Sequence, residues 1–455
     1  MRRLLVASLV CCAAASVAHA NPEPPANYDA RVAGMGGVAI ATVENAAGLF
    51  HNPAQLEHVE RFSLTVVATS LLVNLRAPFS GEGSEVDSGI IYAPLMFAGG
   101  VGRVHERVTV GLGAYVYTGF GGGFTGIDCL SYNDRAACSD PMFAGRIDPP
   151  SKEEVTLFVT EFAVPLQVTL HDRVSLGVTF RLPWARMDVT ATQDVPNGND
   201  EIFLGRANQE LSGVGIPGVL LGISVRPIDR LTLSAAYRSK VWVNLDGTTK
   251  VPLGMTTLDV PTSSRWYVPH MIRIGAAVRA WRDRFVFSAE FKVQMHEEAN
   301  EEQFFELDNI LAPNTRAQFN WQNVYLGSMA AELWVAPRVP IRVGISLGRS
   351  ASRPATLTPF SPPPGIQLGV YGGFGVRAGP MDIDFGFGWG GGPSYEIDRD
   401  YPLCAEADAR TSGAGANRTL EASGGCRGSY DVDSYFLSLS ATYSFGRPDV
   451  SSDPT

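Results

Sequence analysis

A chain of 455 residues, with 48 glycines, 10% aromatic and only 18% charged residues, could fold as several soluble domains or as one large β-barrel, and this composition leans to the barrel. A formal net charge of -10 without a clustered basic face excludes nucleic acid as a partner. Outside the first twenty positions no run of about 18 apolar residues occurs, so no membrane-crossing helix is expected.

Residues 1–20, MRRLLVASLVCCAAASVAHA, place Arg2 and Arg3 before an apolar stretch and end on Ala18-His19-Ala20. That order predicts a secretory signal peptide. Lipidation at Cys11 or Cys12 is disfavoured, because Val10 or Cys11 stands where a small residue should precede the cysteine. Residues 21–60 form the next unit, Gly- and Ala-rich and too short for a domain. Its Gly34-x-Gly36-x-x-Ala39 spacing matches a dinucleotide-binding loop, but such a loop follows a buried strand, and the upstream NPEPPANYDAR cannot be one.

From residue 61 to 446 the dominant signal is a period of two. Val174, Leu176, Val178, Phe180 and Leu182 alternate with Ser175, Gly177, Thr179 and Arg181; Phe285, Phe287, Ala289, Phe291, Val293 and Met295 alternate with Val286, Ser288, Glu290, Lys292 and Gln294. Short charged turns at His105, His171, Ile228 and Arg282, with others near Pro337 and Gly379, each lead into such a strand. Long polar stretches near 76–87, 120–153, 191–208, 246–265, 299–319, 351–364 and 393–429 separate them. Tight turns at one end and long loops at the other, around about fourteen long strands, predict an all-β antiparallel transmembrane barrel. Arg181, Glu290 and Lys292 are expected in the lumen, and Tyr115, Tyr117, Trp184, Trp242, Trp266, Tyr267, Trp281, Trp321, Trp334 and Trp389 in interfacial girdles. In an exported chain the close pairs Cys129 with Cys138 and Cys404 with Cys426 read as disulfides. Residues 447–455 form a polar tail expected in the periplasm.

Nothing in the sequence selects a catalytic group. HEEAN at His296 lacks the second histidine of a zinc helix, GFGGGFTG lacks the lysine of a phosphate loop, and the acidic run from Glu297 to Asp308 reads as a solvated loop. No enzyme, cofactor or metal site is expected.

The stretch VAGMGGVAIATVENAAGLFHNPAQL, Val32 to Leu56, resembles the outer-membrane transporters of long-chain fatty acids and hydrocarbons typified by FadL and TodX. Gly34, Gly36, Gly37, Ala41, Glu44, Asn45, Ala46, Asn52, Pro53 and Ala54 carry the resemblance; elsewhere it is one of architecture. The resemblance implies a bacterial outer-membrane barrel with residues 21–60 folded into its lumen as a hatch. Hydrophobic small molecules would be its cargo, and membrane lipid, lipopolysaccharide and the barrel-assembly machinery its partners, with a monomer the expected state. It also implies lateral exit at a kink in the third strand, where Gly111 or Gly113 would admit a bulge. Apolar Ile202, Phe203, Leu204 and Met255 are then the expected capture residues on the outer loops. Two departures stand out: Gln55 replaces a common glycine, and a tail follows Phe445. A scaffold or secretion shuttle of the same architecture is the alternative; a general porin is weakened by the hatch.

Overall fold

The computed structural model describes residues 28–78, 85–127, 151–196, 202–253, 256–281, 283–308, 314–401, 411–412, 419–422 and 425–446. They form a closed antiparallel barrel of 14 strands. In chain order these are β1 (Phe62–Pro78), β2 (Ile91–His105), β3 (Val108–Ile127), β4 (Ser151–His171), β5 (Val174–Pro196), β6 (Gly218–Ile228) and β7 (Leu231–Arg238). The second half is β8 (His270–Ala280), β9 (Phe285–Met295), β10 (Val324–Ala336), β11 (Val339–Arg349), β12 (Ile366–Ala378), β13 (Met381–Gly391) and β14 (Gly428–Phe445). β14 pairs back onto β1 from Phe62↔Phe445 to Arg76↔Asp431, so the barrel wall closes on itself.

The alternation is realised as read: Leu176, Phe180, Phe287, Phe291, Leu437 and Leu439 are exposed on the outer wall, while Ser175, Thr179, Arg181, Glu290 and Lys292 are buried within. Toward the long-loop end the polarity of the two faces inverts. On β4, Phe162, Val164 and Leu166 face out, whereas higher up Val155, Leu157 and Val159 face in. On β5 the outward Phe180 and Leu182 give way to outward Arg186 and Asp188, with Met187 and Val189 buried. An apolar exterior needs lipid and a polar exterior needs water, so the inversion marks where the wall leaves the bilayer.

Beyond that level the stretches read as loops are in part strands. Ile202–Val214, Val241–Leu253 and Thr256–Val268 pair with β5, with one another and onward to Glu302–Leu307, building a crown at the long-loop end. Its inner face is a continuous apolar core that includes Leu157, Met187, Leu211, Val243, Leu245, Trp266, Phe305, Phe319 and Trp321. Tyr115, Tyr117, Trp266 and Trp321 are therefore interior residues rather than girdle residues, whereas Trp184 and Trp281 are exposed as expected. Aromatic content alone carries no facing information: Tyr115, Tyr117 and Trp266 sit on the inward phase of their strands, and Trp321 lies in the segment between Gln318 and Val324.

The N-terminal segment, from Tyr28 to Val59, runs inside the barrel. It comprises helix α1 (Ala30–Gly34), helix α2 (Gly48–His51) and a 3-10 turn over Pro53–His58, nearly all of it buried.

Candidate functional site

The segment is held by capping chemistry and by polar groups of the wall. Asn52 caps the 3-10 turn: its Oδ1 accepts from Ala54 N at 3.1 Å, Pro53 occupies the first position, where a missing N–H costs nothing, and its Nδ2 donates to Ile40 O at 2.9 Å. The wall makes room with inward glycines. A Cβ at Gly177 of β5 would strike the Pro53 backbone, and one at Gly222 of β6 the Asn52 side chain. Ser175 donates to Ala54 O at 2.9 Å, Thr179 to Leu49 O at 3.0 Å, and Gln55 bonds Ser224 and Ser234 at 3.1 and 3.0 Å. The Asn52-Pro53 end thus rests chiefly on β5 and β6.

Nearer the tight-turn end, charges take over. Asn45 bonds Asp29 at 2.7 Å and accepts from Ala47 N, and Arg31 forms a two-point pair with Glu332, both contacts at 2.9 Å. Arg342 links Glu332 to Asp384, at 2.6 and 2.7 Å. Glu290 accepts from Arg273 at 2.5 Å and from the backbone of Ala39 and Ile40 at 2.9 and 3.1 Å. Below the segment a polar vestibule of about 440 Å³ is lined by Arg31, Glu44, His58, Arg279 and Arg377 among others. Burial works against the Glu44 carboxylate, yet Arg31 and Arg279 hold it down at about 2; burial pushes His58 down to about 4.

At mid-barrel the segment meets an aromatic cluster. Tyr28 stacks on Phe97 at 5.4 Å and meets Phe50 edge-on at 5.0 Å, and Tyr115 meets Phe50 edge-on at 4.9 Å. The Arg238 guanidinium lies 4.1 Å from the Tyr117 ring centroid and is paired with Glu161, which also binds Arg181 at 2.7 Å. Two fully buried guanidiniums thus share one carboxylate. Among the described residues, Arg238 Nε and Nη1 and Arg181 Nε find no hydrogen-bond partner.

Beside this cluster the wall opens. β2 pairs with β3 only as far as Phe97↔Tyr115, although β2 continues to Ile91 and β3 to Ile127. Against β4, β3 slips register between Val116 and Thr118, leaving Tyr117 as the extra residue of a bulge. The Tyr28 hydroxyl donates to the Val116 carbonyl at that bulge. Neither Gly111 nor Gly113 forms it. Both are close-approach glycines, with a Cβ at Gly113 falling 2.8 Å from Leu49, and the register stays regular between them.

Of the other residues singled out in the sequence, Gly34 packs against Gly372 and Gly373 of β12, and Gly36 and Gly37 take φ of 64° and 85°, the left-handed region open to glycine. Ile202, Phe203 and Leu204 lie on a crown strand rather than a loop. Cys426 is buried and disulfide-bonded. Cys129, Cys138, Cys404, Met255, residues 1–20 read as a signal peptide and the 447–455 tail lie outside the described residues. Tyr28, Gly222 and Arg238 went unmarked in the sequence. A local signal existed only for Arg238, a charge on the inward phase of β7.

No family model and no curated protein matches the sequence. Solved structures do. A Pseudomonas aeruginosa FadL homologue superposes with a TM-score of 0.70 at 15% identity, over 92% of this chain and 98% of that one. The Pseudomonas putida toluene transporter TodX gives 0.64 at 14% identity over 92% and 98%, and the Ralstonia pickettii toluene transporter TbuX 0.61 at 14% over 91% and 98%. The chain therefore has the barrel fold of the FadL and TodX structures.

Proposed function

We propose that this protein carries hydrophobic compounds across a bacterial outer membrane, taking them in through the apolar crown and releasing them sideways into the bilayer between β2 and β3. The observation that carries the reading is the end of β2–β3 pairing at Phe97↔Tyr115, beside a buried aromatic cluster. The straight route downward is closed to an apolar solute by the Arg31–Glu332–Arg342–Asp384 network, whereas the gap opens on lipid. Transfer of an alkyl chain from water into the crown is worth about 0.8 kcal/mol per methylene, enough to drive capture. The N-terminal segment then acts as the hatch. Its Tyr28 holds the Val116 carbonyl, and a ligand that fills the aromatic cluster displaces this contact and favours the open arrangement.

The surplus guanidinium charge at Arg181 and Arg238 favours a solute with an anionic head, such as a long-chain fatty acid, over a neutral hydrocarbon. Uptake of labelled oleate and toluene by outer-membrane-matched cells lacking their own transporter tests this. Oleate enters faster, and Arg238→Met, which keeps the apolar stem, slows oleate about tenfold while sparing toluene. Uptake of neither solute would overturn transport in favour of a scaffold; a toluene preference would overturn the anionic-head assignment alone.

A further inference from the structure

The outer wall carries a second feature, unrelated to the lumen: an apolar groove of about 900 Å³ crossing β6 to β11, a volume within the range of small-molecule sites. Small outward residues create it. Two adjacent rows of the sheet run Leu233, Ala276, Ala289, Met329, Ile345 and Ala235, Ile274, Phe291, Gly327, Leu347, so Ala235, Ala276, Ala289 and Gly327 form the floor between larger rims. A Cβ at Gly327 would meet nothing within 4 Å.

The groove slopes. On β7 it begins at Leu233, two residues past the start of the strand at the tight-turn end. On β11 it lies at Ile345 and Leu347, six and eight residues past Val339. Six strands at about 4.8 Å spacing make it about 24 Å long. Its upper end has a different chemistry. Arg349 follows Leu347 on the same outward phase of β11, lies 5.5 Å over the Tyr325 ring and donates to Asn323 O at 2.8 Å. Tyr325 in turn sits on the same phase as Gly327.

We propose that this groove holds one acyl chain of a phosphorylated glycolipid of the outer leaflet, with a head-group phosphate at Arg349. The apolar trough faces lipid, it climbs toward the extracellular side, and a cation backed by an aromatic ring stands where the chain would meet its head group. Its outward side chains belong to neither the hatch nor the aromatic cluster, although Ser234 and Glu290, which hold the hatch from the inner face, border it, and the proposal is tested separately from the transport reading.

Native mass spectrometry of the full chain in mild detergent with hexa-acylated lipid A tests the proposal, after each variant is shown to be a folded barrel on unheated gels. Wild type retains one lipid A. Gly327→Leu, which fills open space, lowers retention about tenfold, and Arg349→Gln lowers it about tenfold. Val66→Leu, an outward change on β1, leaves it unchanged. No retention by wild type, wild-type retention by both groove variants, equal loss in Val66→Leu, or equal retention of phosphatidylglycerol or diacylglycerol would each overturn it. Oleate uptake by Gly327→Leu stays at the wild-type rate, and a fall in that uptake would contradict the separation of the two sites.

Discussion

Asn52 shows how one side chain can fix the conformation of a segment and its position at once. It caps the turn, ties that turn back to Ile40, and reaches the Ile223 carbonyl of the wall at 3.4 Å. Asn52→Ala leaves a buried Ala54 N–H and Ile40 carbonyl without partners and costs about 1–3 kcal/mol of docking. The expected outcome is a barrel that assembles normally while protease cleaves the N-terminal segment faster; unchanged protection would contradict the capping role. At the other end of the segment, proton linkage sets the stability. Glu44 sits at about 2 in the folded state against an ordinary 4.5, and His58 at about 4 against 6.5. Both are lowered, so the undocked state binds protons first and docking weakens as pH falls, from about 6.5 to 4 through His58 and from about 4.5 to 2 through Glu44. Segment protection measured from pH 7 to 2 should therefore fall in two parts. His58→Gln shrinks the upper part, which His51 shares because burial pushes it down too, Glu44→Gln removes the lower, and a flat profile in wild type would refute the linkage. Gly36, Asn45 and Asn52 were legible in the sequence through the resemblance that Val32 to Leu56 carries. Tyr28, Gly177, Gly222 and Arg238 were not, because their roles depend on partners that only barrel closure brings near.

At the scale of elements, the period of two and the charged turns sufficed for strand number and direction, since each hairpin turn is encoded next to the strand it starts. What the pattern concealed was the change of phase at the membrane boundary. A strand such as β5, 23 residues long, keeps alternating while the meaning of its two faces reverses, so its upper part read as loop. The bulge was misplaced for a related reason. Glycine permits irregular backbone, but Gly111 and Gly113 serve close packing, and the irregularity falls at Tyr117, four residues past Gly113, where pairing with β2 has already ended. The orientation makes a direct prediction. A cysteine replacing Glu210, a crown residue whose side chain is 71% exposed, is labelled by a membrane-impermeant maleimide on intact cells. One replacing Asp229, 98% exposed in a tight turn, is labelled only after the outer membrane is opened. The opposite pattern would invert the barrel.

Across the whole molecule, three zones are stacked: an apolar crown, an aromatic and guanidinium layer beside the β2–β3 gap, and an ionic floor. An apolar solute descending through them finds the lateral opening before it meets the ionic floor, and this ordering is the physical content of the transport reading. The account stands on the bulge that turns β3 away from β2. Tyr117 is its extra residue, and deleting it keeps Gly122 and Phe124 on the inward phase while restoring regular register, so the barrel can close without losing its core. The decisive measurement is the initial rate of oleate uptake by cells carrying the Tyr117 deletion at wild-type surface levels. The lateral route predicts that the rate falls to the background of cells without the protein. Uptake at the wild-type rate through a straightened β3 would contradict it.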